Sequence, residues 1–156
     1  MTSDSWRIVR DDLTSPEVVA LVELHLRAAH ANSPPGSVFA LDLTGLRDPA
    51  VTVWSAWDGD QVVGLAALKR LDDTHGELKS MRTAPSHLRR GVGRMLLDHV
   101  IAEARTRGYR RISLETGTST SFTAAHALYE NAGFTICDPF GPYTDRVFAA
   151  YYTLEM

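Results

Sequence analysis

Apolar residues recur along this chain at two periods, and the switches between them mark its elements. From Pro16 to about His30, Val18, Leu21, Val22 and Leu26 return at three- and four-residue spacing, which predicts a helix with one buried stripe. Ser15-Pro16-Glu17 opens it, with proline at the first helical position, where its missing N–H costs nothing. Arg7-Ile8-Val9-Arg10 reads as a short strand before this helix, and Asn32-Ser33-Pro34-Pro35-Gly36-Ser37 reads as a loop after it. His25 and His30 fall in the helix or at its end, and each reads as a surface or capping histidine. Period two then takes over: Val51 to Trp57 is alternating and β-rich, Asp58-Gly59 is a tight-turn dipeptide, and Gln61 to Leu68 is again strand-like, so the three predict a β-hairpin.

Downstream the two periods alternate. A strand from Glu77 to Thr83 runs through a proline turn into Leu88-Arg89-Arg90-Gly91-Val92-Gly93-Arg94. The helix that follows carries Val92, Leu96 and Val100 on one stripe, with Met95 and Ile101 beside it, and stops at Gly108. Arg111 to Thr116 is strand, and Thr123 caps a short helix through Tyr129 that ends at Gly133. Phe134 to Ile136 and Val147 to Leu154 supply the last strands. The order predicts a mixed α/β sheet in one domain, residues 1–156, with no internal repeat or linker.

Composition narrows the class. At 44% apolar and 22% charged, the chain reads as an ordinary globular protein. It has no bilayer-length apolar run, no signal-peptide pattern at its first residues and a single cysteine, Cys137, all of which fit a cytoplasmic protein. The net charge of −3 conceals an asymmetry: residues 82–111 hold eight arginines against Asp98 and Glu103, a net +6 beside −9 elsewhere. Without interleaved aromatics this stretch argues against a nucleic-acid surface and for a small anionic ligand. No residue pattern suggests a metal site or a membrane surface.

The chemistry concentrates in that arginine-rich loop. Gly91 and Gly93 carry no side chain to hold an anion away, and the first helical turn beyond them has backbone N–H groups without intrahelical partners. Arg89, Arg90 and Arg94 add charge there. The loop lacks the Gly-Lys-Ser/Thr ending of a P-loop and the third glycine of a dinucleotide-binding fold.

Another pattern does fit. Leu88 to Gly93 resembles the Gln/Arg-x-x-Gly-x-Gly/Ala pyrophosphate loop of the GNAT family of N-acetyltransferases, and Ala125-His126-Ala127-Leu128-Tyr129-Glu130-Asn131-Ala132-Gly133-Phe134 resembles that family's Ala-x-x-Leu-Tyr-x-x-x-Gly-Phe segment. The order and separation of the two agree as well, over about residues 77–136. The Tyr143 region and the Ser33-Pro34-Pro35 loop further resemble a bacterial small-molecule subgroup. Two departures stand out: Leu88 replaces the family's Gln or Arg, and Phe122 stands where many members have a pantetheine-binding Asn.

The resemblance implies a mostly antiparallel sheet whose central parallel strand pair splays apart. It implies acetyl-CoA as cosubstrate and a small-molecule amine as acceptor, with a protein acceptor or a non-catalytic CoA sensor as alternatives. It also implies cofactor contacts from Met81, Arg82, Thr83, Leu88, Arg89, Arg90, Gly91, Val92, Gly93, Arg94 and Ala125, and it allows a homodimer through the final strands. Tyr129 occupies the position of the family's general acid, and a phenol of ordinary pKa, about 10, is protonated and able to donate to a thiolate. Glu77, 14 residues before Gly91, is the expected base; Glu115 and ordered water compete for that role. Strand alternation places Glu77, Lys79 and Met81 on one face and Arg82 on the other. Lys79 either pairs with Glu77 or holds a carboxylate of the substrate.

Overall fold

The computed structural model describes residues 6–34 and 41–156. Its strands are β1 (Arg7–Arg10), β2 (Val51–Asp58), β3 (Gln61–Arg70), β4 (His75–Thr83), β5 (Arg111–Gly117), β6 (Thr135–Ile136) and β7 (Ala149–Glu155). They form one sheet in the order β1-β2-β3-β4-β5-β7-β6. Every adjacent pair is antiparallel except β4 and β5, so the sheet is mixed, as the alternation of periods predicts.

Among the described residues four α-helices cover the two faces. On one side α1 (Pro16–Asn32) and α2 (Leu43–Leu46) bring Val18, Leu21, Val22 and Leu46 against Val53, Leu65 and Ala67. On the other, α3 (Val92–Thr106) and α4 (Thr123–Asn131) bring Leu96, Val100 and Tyr129 against Trp54, Ala66, Leu68 and Leu78. Strand alternation makes both clusters possible, because neighbours along β3 point to opposite helical layers. Ser15 caps α1 as expected, its hydroxyl accepting from the Val18 N–H at 3.3 Å.

Three expectations change. α2 is a short helix that no hydrophobic period announces; Asp42 opens it by accepting from the Gly45 N–H. Thr123 does not cap α4, because a 3-10 turn over Thr120–Phe122 delivers the chain already wound, and its hydroxyl donates back to the Thr120 carbonyl. The last strand begins at Ala149, since Asp145 draws the Val147 and Phe148 N–H groups into a turn.

The consequential difference is a bulge in β4. Lys79 pairs with Ala67 and Arg82 with Leu65, so Ser80 and Met81 together face the single residue Ala66. Ser80 takes φ +53°, a left-handed conformation rare for a residue with a side chain. The extra residue reverses the alternation beyond it. Directly paired residues share a face, so Lys79 and Arg82 both point toward α1, with Ala67 and Leu65. Met81 packs instead with Leu78 on the α3 side. The expected faces of Met81 and Arg82 are therefore exchanged.

Candidate active site

β4 and β5 pair only at His75–Arg111, Gly76–Ile112 and Glu77–Ser113, although β4 continues to Thr83 and β5 to Gly117. Past Glu77 the two strands part, and β4 presents an edge to open space instead of to a neighbour. A cleft of about 630 Å³ occupies the gap, bounded by β4, β5, α1, α4 and the loop before α3. A parting at the middle of a sheet leaves backbone polar groups to be met by a ligand. Ser80 sharpens the point: the residue lines the cleft, and its buried Oγ has no hydrogen-bond partner among the described residues.

At one end of the cleft lies the glycine loop. Gly91 caps α3 at φ +93°, in the left-handed region that glycine enters freely. A Cβ placed there meets no protein atom within 4 Å. No side chain caps α3, so the N–H groups of its first turn face outward as an anion cradle. Arg89 also sits at positive φ, +61°, a strained conformation of the kind found at binding loops. Leu88, Arg89, Val92, Gly93 and Arg94 line the cleft with Gly91. Arg94 is held by Asp98 at 2.9 Å. Arg90 is placed elsewhere, its guanidinium 5.7 Å over the Trp6 ring, and it is not among the cleft-lining residues.

The loop is anchored from below. Pro85–His87 forms a 3-10 turn in which buried His87 contacts Asp58 at 3.1 Å through Nε2 and Ser86 at 2.7 Å through Nδ1. Trp6 packs edge-on against the same imidazole. The hairpin and the N-terminal strand thus fix where the cradle begins.

The middle of the cleft holds several titratable groups. Glu115, on β5, is half-buried; burial raises its carboxyl pKa to about 7, Glu77 and Asp145 push the same way, and Lys79 opposes them. No hydrogen bond or ion pair of its carboxyl is found among the described residues. Tyr129, on α4, is pushed up to about 12, by burial first and then by Glu115, with Arg82 opposing. The phenol feels both Glu115 and Arg82, and it stays protonated at neutral pH.

Glu77 is placed differently. It is 3% exposed; its Oε2 accepts from the Lys79 ammonium at 3.2 Å and from the Tyr143 hydroxyl at 2.5 Å. Lys79 also donates to Tyr143 at 2.8 Å, and its side chain is 8% exposed. Of the two readings of Lys79, the geometry supplies the pairing with Glu77. Burial and the adjacent Glu77 carboxylate raise the Tyr143 pKa well above its usual range.

Met81, Thr83 and Ala125 line the cleft. Phe122 lines it too, and its ring packs so closely on Gly117 that a Cβ there would lie 2.2 Å from it. Sequence reasoning missed His25 and Tyr143 as participants. His25 had a legible signal: it falls four residues after Leu21 and four before Ala29, so the buried stripe of α1 runs through a polar residue. Tyr143 lies in a segment without period, and nothing in its spacing connects it to Glu77. The loop expected over the site, beginning at Pro34-Pro35, lies outside the described residues from 35 to 40.

Among the described residues no group of His, Cys, Asp and Glu is placed to hold a metal, and no helix is long and apolar enough to cross a membrane.

Comparison with known proteins accords with this arrangement. Residues 18–134 match the Acetyltransferase (GNAT) family. The chain is 51% identical over 146 residues to the uncharacterized N-acetyltransferase YsnE of Bacillus subtilis (strain 168), covering 94% of this chain and 97% of that one. It is 54% identical over 138 residues to the uncharacterized N-acetyltransferase YedL of Escherichia coli (strain K12), with 88% and 87% covered. An IAA acetyltransferase of Azospirillum brasilense is 34% identical over 137 residues, with 87% and 88% covered. Among solved structures, one described as an acyl-CoA N-acyltransferase from Klebsiella pneumoniae superposes with a TM-score of 0.80 at 26% identity, covering 96% and 97% of the two chains. A family acetyltransferase from Elizabethkingia anophelis with acetyl-CoA bound shares the fold at a TM-score of 0.72 and 20% identity, with 98% and 99% covered. A splayed parallel pair, a glycine cradle at the head of α3 and a protonated tyrosine at the parting are what acetyl transfer from a CoA thioester asks of a sheet, and the chain belongs to the GNAT family of acetyl-CoA-dependent N-acetyltransferases.

Proposed function

We propose that the protein acetylates a primary amine of a small molecule, with Glu115 as the proton acceptor and Tyr129 as the proton donor. The observation that carries this is the meeting of two proton-exchanging groups at the parting of β4 and β5: a carboxyl raised to about 7 and a phenol raised to about 12 line the same cleft. Burial raises both, so near neutral pH the carboxyl is poised to take a proton while the phenol still holds one to give.

Acetyl-CoA, when bound, supplies the activated acetyl group. The residues fitted to hold it are the α3 N-terminus with Gly91 and Gly93 for the pyrophosphate, and Ser80 with the open edge of β4 for the polar atoms of the arm and thioester. The remaining chemistry belongs to the chain. Glu115 Oε takes one proton from the ammonium and frees the nitrogen lone pair. As the C–N bond forms and the C–S bond breaks, the Tyr129 hydroxyl gives its proton to the departing sulfur. The phenolate regains a proton from the amide-forming nitrogen or from water. Glu77 is already committed, since its carboxylate holds Lys79 in a buried pair and accepts from Tyr143, and breaking such a pair is costly.

Enclosure favours a small acceptor. The acceptor side of the cleft is walled by His25, Ala28, Ala29 and Asn32 of α1, and its floor of Glu77 and Lys79 is almost wholly buried. The test mixes the protein with acetyl-CoA and a panel of primary amines and follows free thiol. Saturable release with small amines is expected. CoA binding without release across the panel would overturn the enzymatic assignment, and release with peptides alone would overturn the small-molecule reading.

A further inference from the structure

Among the described residues Arg82 is a half-buried cation without an ion-pair partner. Its guanidinium lines the cleft, and among the described residues none of the ion pairs includes it. Its one hydrogen bond runs from Nε to Nδ1 of His25, at 3.0 Å. That bond requires an unprotonated Nδ1, so the imidazole is neutral with its proton on Nε2. Burial and the adjacent Arg82 hold His25 down to about pKa 4, which keeps it neutral. His25 therefore steers the guanidinium without cancelling its charge. Burying a cation this way is unfavourable unless something anionic completes the site.

The bulge decides what that anion is. Because Ser80 and Met81 share one position opposite Ala66, Arg82 projects toward α1 and not toward α3. The pyrophosphate cradle belongs to the N-terminus of α3, on the opposite layer. Arg82 thus stands on the α1 side of the parting, in the same cleft as Tyr129 and Glu115. With Nε engaged, its Nη1 and Nη2 remain as a planar fork, the geometry that matches a carboxylate with two parallel bonds. One cation beside a neutral imidazole balances one negative charge and leaves a phosphate dianion half compensated. Lys79 does not compete, since Glu77 and Tyr143 already hold it.

The geometry points to Arg82, oriented by His25, as the receptor for a carboxylate on the acceptor, so that the substrates are amino acids or amino-acid-like amines whose ammonium group reaches Glu115. This rests on the acetyltransferase reading of the same cleft.

The experiment uses matched acceptors at saturating acetyl-CoA: amino acids beside their C-terminal amides, and ω-amino acids beside the corresponding alkylamines. The parent protein is expected to favour the carboxylate member of its preferred pair by about tenfold or more in kcat/KM, the scale of one charge-assisted contact. Arg82→Gln is expected to bring the pair to near parity, mostly through KM, with CoA affinity by calorimetry unchanged. Arg82→Lys keeps the charge without the fork and is expected to fall between. Equal use of both members by the parent overturns the proposal and leaves the acetyltransferase reading standing. If no amine releases thiol, that reading fails instead, and the carboxylate site is judged by binding: the same amino acids are titrated into the CoA-loaded protein while the His25 ring resonances are followed. Saturable shifts in the parent that the amides do not produce uphold the site, and their absence overturns it.

Discussion

Among the described residues Glu115 has no hydrogen-bond or ion-pair partner, and its chemistry follows from that. Its folded pKa of about 7 lies above the ordinary carboxyl value of 4.5. As a base it is competent only when ionised, so kcat/KM is expected to rise with pH and level off above about 7. Glu115→Gln should lower turnover by roughly 10²- to 10⁴-fold and remove that limb from a pH–rate profile. The same shift acts on stability with the opposite sign. A raised carboxyl pKa means the folded state holds the proton more tightly, so the stabilisation is complete below about 4.5 and is lost as pH climbs through 7. Glu115→Gln is accordingly expected to melt above the parent at pH 8 and close to it at pH 4.5, a gain in stability bought with activity. Tyr129→Phe keeps the ring contacts with Phe134 and Tyr152 and loses only the donor. Steady-state kinetics should show a fall of roughly ten- to a thousandfold in kcat with CoA affinity little changed. Both groups were legible in the sequence as residue types on the right elements. What was not legible is who holds whom: Glu77 and Glu115 are equivalent on paper, and only the arrival of Tyr143 from 66 residues away assigns one to Lys79 and leaves the other open.

Among the elements, the strand–loop–helix unit around Gly91 was the most readable, because a glycine at positive φ and an uncapped helix start are both local properties. The prediction that belongs here is also local. Gly91→Val puts a β-branched residue at φ +93° and a side chain into the space an anion needs. It should weaken CoA binding at least tenfold and cost about 1–2 kcal/mol of stability. Leu88→Gln should change CoA affinity by less than threefold, because Leu88 is 56% exposed and the cradle is made of backbone N–H groups. Titration calorimetry on both variants checks the order, and equal losses would move the cradle away from Gly91. The bulge shows where element-level reading stops. Period two assigns every residue of β4 a face, and one inserted residue at Ser80 reverses the assignment for Arg82 and Met81. Nothing in Lys-Ser-Met-Arg announces it, since serine is not a residue that favours positive φ. The insertion is nonetheless what turns Arg82 toward α1 and His25.

At the scale of the whole molecule, the cleft is an interruption in an otherwise continuous sheet. Hydrophobic periods located most strands, but not the threading of β7 between β5 and β6 or the residue at which β4 and β5 part, because both depend on contacts distant in sequence. That interruption has a measurable consequence. From Leu78 to Thr83, β4 has ladder bonds to β3 and none to β5, so its amides open more easily than those of β2 and β3, which are paired along most of their length. A ligand filling the gap supplies the missing partners and couples the two halves of the sheet. Anything that binds only the folded state stabilises it by about 2.7 kcal/mol at 100 times its Kd, which for a domain of this size raises Tm by roughly 5–10 °C. Hydrogen exchange should localise the gain: protection is expected to rise over residues 78–83, 91–95 and 114–117 on adding CoA, with residues 61–70 unchanged apart from the global effect. A Tm increase with uniform protection, or protection confined to the outer strands, would place CoA somewhere other than the parting of β4 and β5.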